Sequence, residues 1–138
     1  RLSPVTPAND VVDANPQTLF EYVVEQLAPL GLAFIHIIEG ATGGPRELPD
    51  RPFDYDALKA AYRRAGGKGA WMVNNNYDLP LAETAVAEGD DLVAFGRPFI
   101  ANPDLVRRLR EKAPLNTLDK ATLYGGGAKG YTDYPALA

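Results

Sequence analysis

Apolar positions along this chain alternate between two periods. After Asn15-Pro16, the residues Leu19, Phe20, Val23, Val24, Leu27 and Leu30 fall at spacings of three and four, which predicts a helix over residues 16–30. Asn15 suits its N-cap, Pro16 its first turn and Gly31 its stop. Leu32 to Ile38 is then almost continuously apolar and rich in β-branched and aromatic residues, as in a strand covered on both faces. A Gly- and Pro-rich stretch from Glu39 to Pro52 reads as a long loop, and long loops in compact domains are often functional. Leu58, Ala61 and Tyr62 mark a second helix over 54–65, closed by Gly66-Gly67. A strand over 70–73 stops at Asn74-Asn75-Asn76, and a short helix over 79–88 puts Leu81, Ala85 and Val86 on one side. A third strand runs over 91–95 and ends in Gly96-Arg97. Asn102-Pro103 opens a last helix, with Leu105, Val106 and Leu109 expected inward and Arg107, Arg108 and Arg110 on a solvated face. The tail, 115–138, carries Tyr124-Gly125-Gly126-Gly127 and reads as irregular.

Strand and helix alternate, the βαβ signature of a parallel α/β fold. Three strands and a strand stub at Arg1 are too few to close a barrel. The 138 residues suit one domain or part of a larger one, and 46% hydrophobic residues suit a packed core. With no Cys, a disulfide framework, a thiolate nucleophile and cysteine-ligated metals are excluded. One His, His36, argues against a histidine-rich metal site and against two-imidazole mechanisms. A net charge of -4 argues against a nucleic-acid footprint. No apolar run is long enough for a membrane span, and no signal peptide opens the chain, so a soluble, cytoplasmic protein is expected. The chain starts at Arg1 and holds Met only at Met72, which suggests a processed or cut polypeptide.

In parallel α/β folds, ligands bind at the carboxyl ends of the strands. Those ends are Arg1–Pro4, Glu39–Pro45, Asn74–Asp78 and Gly96-Arg97. Two of them suit an anion. Asn tolerates the left-handed region better than other non-Gly residues, so the Asn74–Asn76 turn can present backbone amides. Gly96 permits close backbone approach, Arg97 offers a planar donor fork for phosphate, and a short helix after Arg97 would add its dipole. A purely structural Arg97 remains open on this reasoning alone.

Two strings make the comparison specific: Asp91-Leu92-Val93-Ala94-Phe95-Gly96-Arg97-Pro98-Phe99-Ile100-Ala101-Asn102-Pro103-Asp104-Leu105 and Tyr124-Gly125-Gly126-Gly127-Ala128-Lys129-Gly130-Tyr131-Thr132-Asp133-Tyr134-Pro135. Both closely resemble the end of Old Yellow Enzyme family members, FMN-dependent NAD(P)H ene-reductases built on a (β/α)8 TIM barrel. Arg1-Leu2-Ser3-Pro4 looks like the end of that family's fifth strand. The resemblance covers the whole chain in order. It implies a partial TIM-barrel domain over 1–138, from the end of strand five through helix eight, with 115–138 as a C-terminal tail packing on the barrel. It further implies that Arg1 reaches the flavin's pyrimidine edge and that Gly96 and Arg97 bind the FMN phosphate. Asn75 and Asn76 fall where the family often carries a glycine-containing turn that gives its amides to that phosphate. Tyr124 matches an aromatic residue of the substrate pocket, and Ala8 and the Glu39–Pro52 loop fall where the family varies that pocket. The family's substrate-gripping His/His or His/Asn pair and its proton-donating Tyr belong to a region that would precede Arg1. No catalytic proton donor is therefore expected in this chain, and no metal.

The bland alternatives stand beside these. His36 reads as a core or pocket-wall residue, and Glu39 either faces the pocket or pairs with an Arg. Lys120 and Lys129 read as surface residues. Tyr131 and Tyr134 read as anchors of the tail on the barrel or on a neighbouring subunit of a homodimer. Three functions compete. One is an ene-reductase acting on alkenes activated by a carbonyl or nitro group, completed by the N-terminal half of the barrel in the same or a separate chain. The second is a non-catalytic half-barrel scaffold or phosphate-binding module, which would leave unpaired edges and an exposed apolar face. The third is another FMN or sugar-phosphate barrel with the same phosphate grip.

Overall fold

The computed structural model describes residues 1–8 and 11–138. The elements are α1 (Pro16–Leu27) with a 3-10 turn over Ala28–Leu30, β1 (Phe34–Ile38), α2 (Tyr55–Arg64), β2 (Ala70–Asn74), α3 (Leu79–Ala87), β3 (Leu92–Ala94), α4 (Arg97–Ala101) and α5 (Leu105–Glu111). Arg1–Ala94 and Phe95–Ala138 form two compact units.

In the first unit, three parallel strands pair in the order β1-β2-β3. The stub expected at Arg1 is present as a parallel bridge between Leu2 and Ile37. There Leu2 N–H donates to the His36 carbonyl at 2.8 Å and Ile38 N–H to the Leu2 carbonyl at 2.9 Å. The helix starts follow the expected chemistry. Asn15, Asp54 and Asp78 each cap a helix by accepting from a backbone amide three residues on. Gly31 is left-handed at φ +64 and ends the first helical segment, whose last turn tightens to 3-10.

The register sorts the strand residues onto two faces. Ile35 pairs with Trp71, Ile37 with Val73, and Val73 with Val93. The first four of these are buried, and Tyr62 of α2 lies against Trp71 with ring centroids 5.8 Å apart. Val24, Leu58, Ala61 and Tyr62 complete this core. Gly69 N–H donates to the Tyr62 hydroxyl at 3.0 Å, so the buried phenol is satisfied. Each large apolar side chain buried here contributes roughly 1.5–3 kcal/mol.

Phe34, His36, Met72 and Leu92 occupy the opposite face, where Phe34 and Leu92 remain 48% and 41% exposed. The expectation of a strand covered on both faces holds in part: on this second face of β1, Ile38 is buried, His36 half-buried and Phe34 exposed. β3 is also shorter than expected. Asp91 just precedes it: its N–H donates to the Trp71 carbonyl at 3.1 Å, and its carboxylate accepts from Trp71 N–H and from Arg63 Nη2, both at 2.7 Å.

In the second unit the last helix starts at Leu105 rather than after Asn102. Asn102 is buried and extended, and its amide is already committed: Nδ2 donates to the Pro98 carbonyl and Oδ1 accepts from Asn116 N–H. The expected inward and outward positions on α5 also change. Arg108 is 4% exposed while Val106 is 57% exposed. Arg108 donates to Asp104 Oδ1 at 2.7 Å, to the Pro114 carbonyl at 2.6 Å and to the Pro135 carbonyl at 2.8 Å. It ties the irregular tail segment to α5, so the solvated-face reading fails at this one arginine. Val86 of α3, expected on the covered side, is likewise exposed. Among the described residues no helix is long and apolar enough to cross a membrane.

Candidate functional site

β1 ends at Ile38 and β2 at Asn74, and the segments that follow them interlock. Asn75 and Asn76 both take positive φ, +122 and +51, as the Asn-rich turn suggested. The turn lies past the end of β2, so its backbone amides are outside the strand ladder.

The Asn75 side chain is buried and faces the loop. Its Nδ2 donates to the carbonyls of Glu39 at 2.7 Å, Ala41 at 2.8 Å and Gly44 at 3.3 Å, while Oδ1 accepts from Gly43 N–H at 2.9 Å. Asn76 Nδ2 donates to the Gly44 carbonyl as well. The next residue, Tyr77, donates its hydroxyl to Glu39 Oε2 at 2.7 Å. Arg46 Nε reaches the same oxygen at 2.9 Å, Arg46 Nη2 donates to the Tyr77 hydroxyl at 3.1 Å, and the guanidinium stacks 4.4 Å over the Tyr77 ring. Glu39 thus pairs with an arginine of its own loop, one of the two roles open to it from sequence.

The electrostatics follow from burial and charge. Burial pushes the Tyr77 phenol above its ordinary value, and the hydrogen bond and negative charge of Glu39 push it further. At Arg46 burial opposes the cation, but the bond to Glu39 and the charge of Glu39 outweigh it and raise the pKa. Half-buried Tyr55, which accepts from Gly40 N–H at 2.7 Å, is also shifted up, chiefly by desolvation. An open groove of about 1240 Å³ runs along this network, with Glu39, Arg46, Phe53, Tyr55 and Tyr77 among its walls. Arg46, Tyr55 and Tyr77 were not anticipated from sequence; a glutamate at a strand end with an arginine in the following loop is the signal that could have pointed to them.

The other residues expected at a site are distributed as follows. Arg1 is exposed at the start of the first unit. His36 lies on the open sheet face beside it, with a buried Nε2 that has no hydrogen-bond partner. Burial, and then the Arg1 cation, lower the His36 pKa. Ala8 is exposed. Gly96 and Arg97 follow β3 directly and open the second unit. Gly96 N-caps α4, its carbonyl accepting from Phe99 and Ile100 N–H, and Arg97 is half-buried at the first helical position. Tyr124 is 88% exposed, beside Gly125 and Gly126, both at positive φ. Its segment is stapled at the base, where Thr122 Oγ1 donates to the Gly130 carbonyl and Gly130 N–H to Asp133 Oδ1. Asn75 and Asn76 therefore share one turn in the first unit, while Gly96, Arg97 and Tyr124 belong to the second.

Comparison with known proteins gives these features a context. Residues 1–116 match the model of the NADH:flavin oxidoreductase / NADH oxidase family. A putative 12-oxophytodienoate reductase 10 of Oryza sativa subsp. japonica is 41% identical over 140 residues, covering 99% of this chain and 44% of that protein. A probable flavin mononucleotide-dependent alkene reductase of Leishmania infantum is 35% identical over 138 residues, covering 99% of this chain and 35% of the relative. Among solved structures, the old yellow enzyme homologue from Zymomonas mobilis superposes with a TM-score of 0.84 at 39% identity, covering 99% of this chain and 38% of that one. The chain thus spans well under half the length of the relatives it matches.

Proposed function

Since the chain belongs to the NADH:flavin oxidoreductase / NADH oxidase family, the Old Yellow Enzyme group, we propose that the complete protein is an FMN-dependent ene-reductase. It takes hydride from NAD(P)H and delivers it to alkenes activated by a carbonyl or nitro group. This chain is then the C-terminal portion of a (β/α)8 barrel, from the end of strand five through helix eight, followed by a tail over 115–138. The observation that carries the reading is the ordered agreement over 99% of the chain with proteins of that kind.

The residues present are compatible with FMN. The Asn75–Asn76 turn offers amides to an anionic group, and Arg97 offers a charged planar fork. Arg1 is an exposed cation next to the unpartnered His36 Nε2, a polar setting for the pyrimidine edge of a flavin. When bound, FMN supplies the hydride-carrying centre, and the protein supplies binding, orientation and electrostatics. In this reading the amides of Asn75 and Asn76 in the first unit are FMN contacts, and so, in the second unit, are Gly96 and Arg97. Arg1 holds the pyrimidine edge, where a fixed cation favours the charge that develops on reduction. Tyr124 and the Glu39–Pro52 loop shape the substrate pocket. Proton donation and the grip on the activating group come from the remainder of the barrel, the partner this chain requires.

Arg97→Ala in the complete protein tests the assignment. Loss of charge-assisted bonds to a phosphate weakens FMN binding by about 1.5–3 kcal/mol, read as a matching rise in the FMN dissociation constant. A complete protein that releases no flavin on denaturation overturns the function. Unchanged FMN affinity in the variant overturns the role of Arg97 alone. The non-catalytic half-barrel reading is disfavoured by the same open face, since Phe34 and Leu92 on a free-standing module would sit in water.

A further inference from the structure

We propose that Asn75 is a positioning residue which couples the phosphate-binding turn to the substrate-side loop, so that filling the turn orders the loop. The inference rests on the flavin reading above. Its starting point is a mismatch between backbone and residue type. At φ +122, position 75 is one where glycine is the unstrained choice. An asparagine there carries a backbone cost, and its side chain shows what is gained in return.

That side chain directs both of its donors and its acceptor to one segment. Both Nδ2 protons go to three carbonyls of the Glu39–Gly44 segment, and Oδ1 takes the Gly43 amide. At 4% exposure, no water competes for these bonds. Asn76 and Tyr77 extend the same contact to Gly44, Glu39 and Arg46, so three consecutive turn residues reach into one loop. The direction of the Asn75 Cα–Cβ bond is set by the backbone angles of the turn. An anion held on the turn's amides narrows those angles, which fixes Cβ and with it the loop carbonyls the side chain holds. Coupling of this kind is reciprocal: a loop held shut favours the turn conformation that receives the anion. Glycine at position 75 would leave the amides in place and cut the connection.

Trypsin reads the loop directly. Arg46 is the cleavable site between Glu39 and Asp54, because Arg51 precedes Pro52. Its guanidinium is held by Glu39 and Tyr77, so cutting requires local opening. In the complete protein, cleavage after Arg46 is measured relative to cleavage after Lys120, with FMN loaded or stripped, for the wild type, Asn75→Gly and Asn75→Asp. Asn75→Asp keeps the acceptor and removes the donors. In the wild type FMN slows cleavage after Arg46 at least about fivefold. In the stripped variants cleavage is about tenfold faster than in the stripped wild type, the effect of losing one to two net hydrogen bonds. FMN then changes the variants' rate by less than about twofold. A merely structural tie would speed cleavage in the variants yet leave protection by FMN intact, and that result overturns the coupling. So does a wild type that binds FMN without protection, or a stripped variant cut no faster than the stripped wild type. If neither variant retains FMN, Asn75 acts on the cofactor and not through the loop, which also overturns the proposal. A wild type that takes up no FMN overturns the flavin reading first, and this inference with it.

Discussion

The bond between Tyr77 and Glu39 is a sharp test of whether the β1–α2 loop is shaped by the turn after β2. Tyr77→Phe removes one hydroxyl and nothing else. That hydroxyl donates to Glu39 Oε2 at 2.7 Å, between residues only 6% and 7% exposed, so solvent screening is slight. A neutral donor on a buried charged acceptor contributes about 1.5–3 kcal/mol. Glu39 keeps Arg46 and Arg46 keeps the aromatic face beneath it, so neither charge is orphaned. The cost therefore belongs at the low end, about 1.5–2 kcal/mol. Glu39→Gln retains the shape while removing the charge from both Arg46 and Tyr77, and the double variant closes the cycle. The free energy of local opening for the Glu39–Arg46 segment, from native-state hydrogen exchange of the complete protein, is the quantity to compare. A coupling energy of about 1–2 kcal/mol is expected, against the few tenths typical of independent sites. A value below about 0.5 kcal/mol would mean the two groups are neighbours without energetic connection, and the loop would owe its shape to something else.

Two further outcomes follow from the buried and half-buried polar groups. In the second unit, Arg108→Met should loosen the tail on the order of 2–3 kcal/mol through the carbonyl bonds to Pro114 and Pro135 alone, visible as faster exchange over 133–137; Arg107→Ala, at an exposed i,i+4 pair, should change stability by less than about 0.5 kcal/mol. His36 has a folded-state pKa below 6.5, from burial first and the Arg1 cation second, so the unfolded chain takes up a proton that the folded one resists. Stability is therefore full above pH 6.5 and falls as pH drops below it. His36→Leu should flatten that fall in the urea midpoint between about pH 7.5 and 5.5, and an unaltered slope would remove His36 as its source.

Much of the fold was legible because local rules and tertiary demands agreed. Asn15, Asp54 and Asp78 cap the helices that their sequence neighbourhoods announce, and the strands fall where the apolar runs do. The reading failed where a polar side chain was recruited over a distance. Helical periodicity places Arg108 on a polar face, but three acceptors converge on its guanidinium, one of them the Pro135 carbonyl of the distant tail. Asp91, which its apolar neighbours place in a strand, instead commits its carboxylate to the Trp71 amide and Arg63 at the strand's entry. For the site, positive φ at Asn75 and Asn76 was readable from residue type. The direction of the Asn75 side chain was not, because it depends on a loop whose path no pattern in Glu39–Pro52 specifies.

The same contrast bears on why the sheet is sided as it is. Ile35, Ile37, Trp71 and Val73 are covered by this chain's own helices, and that face is closed. The residues between them are not polar, as they would be on a sheet with one solvated face. Phe34, Ile38, Met72, Leu92 and Ala94 alternate with the core residues, and only His36 and Asn74 interrupt them. Asn74 is satisfied within the sheet, its Nδ2 donating to the Ala94 carbonyl at 2.6 Å. His36 Nε2 is left without a partner, which is costly in a finished core and sensible in one awaiting a polar neighbour. An apolar face with one unpaired imidazole beside an exposed arginine is the pattern that the proposed barrel reading accounts for.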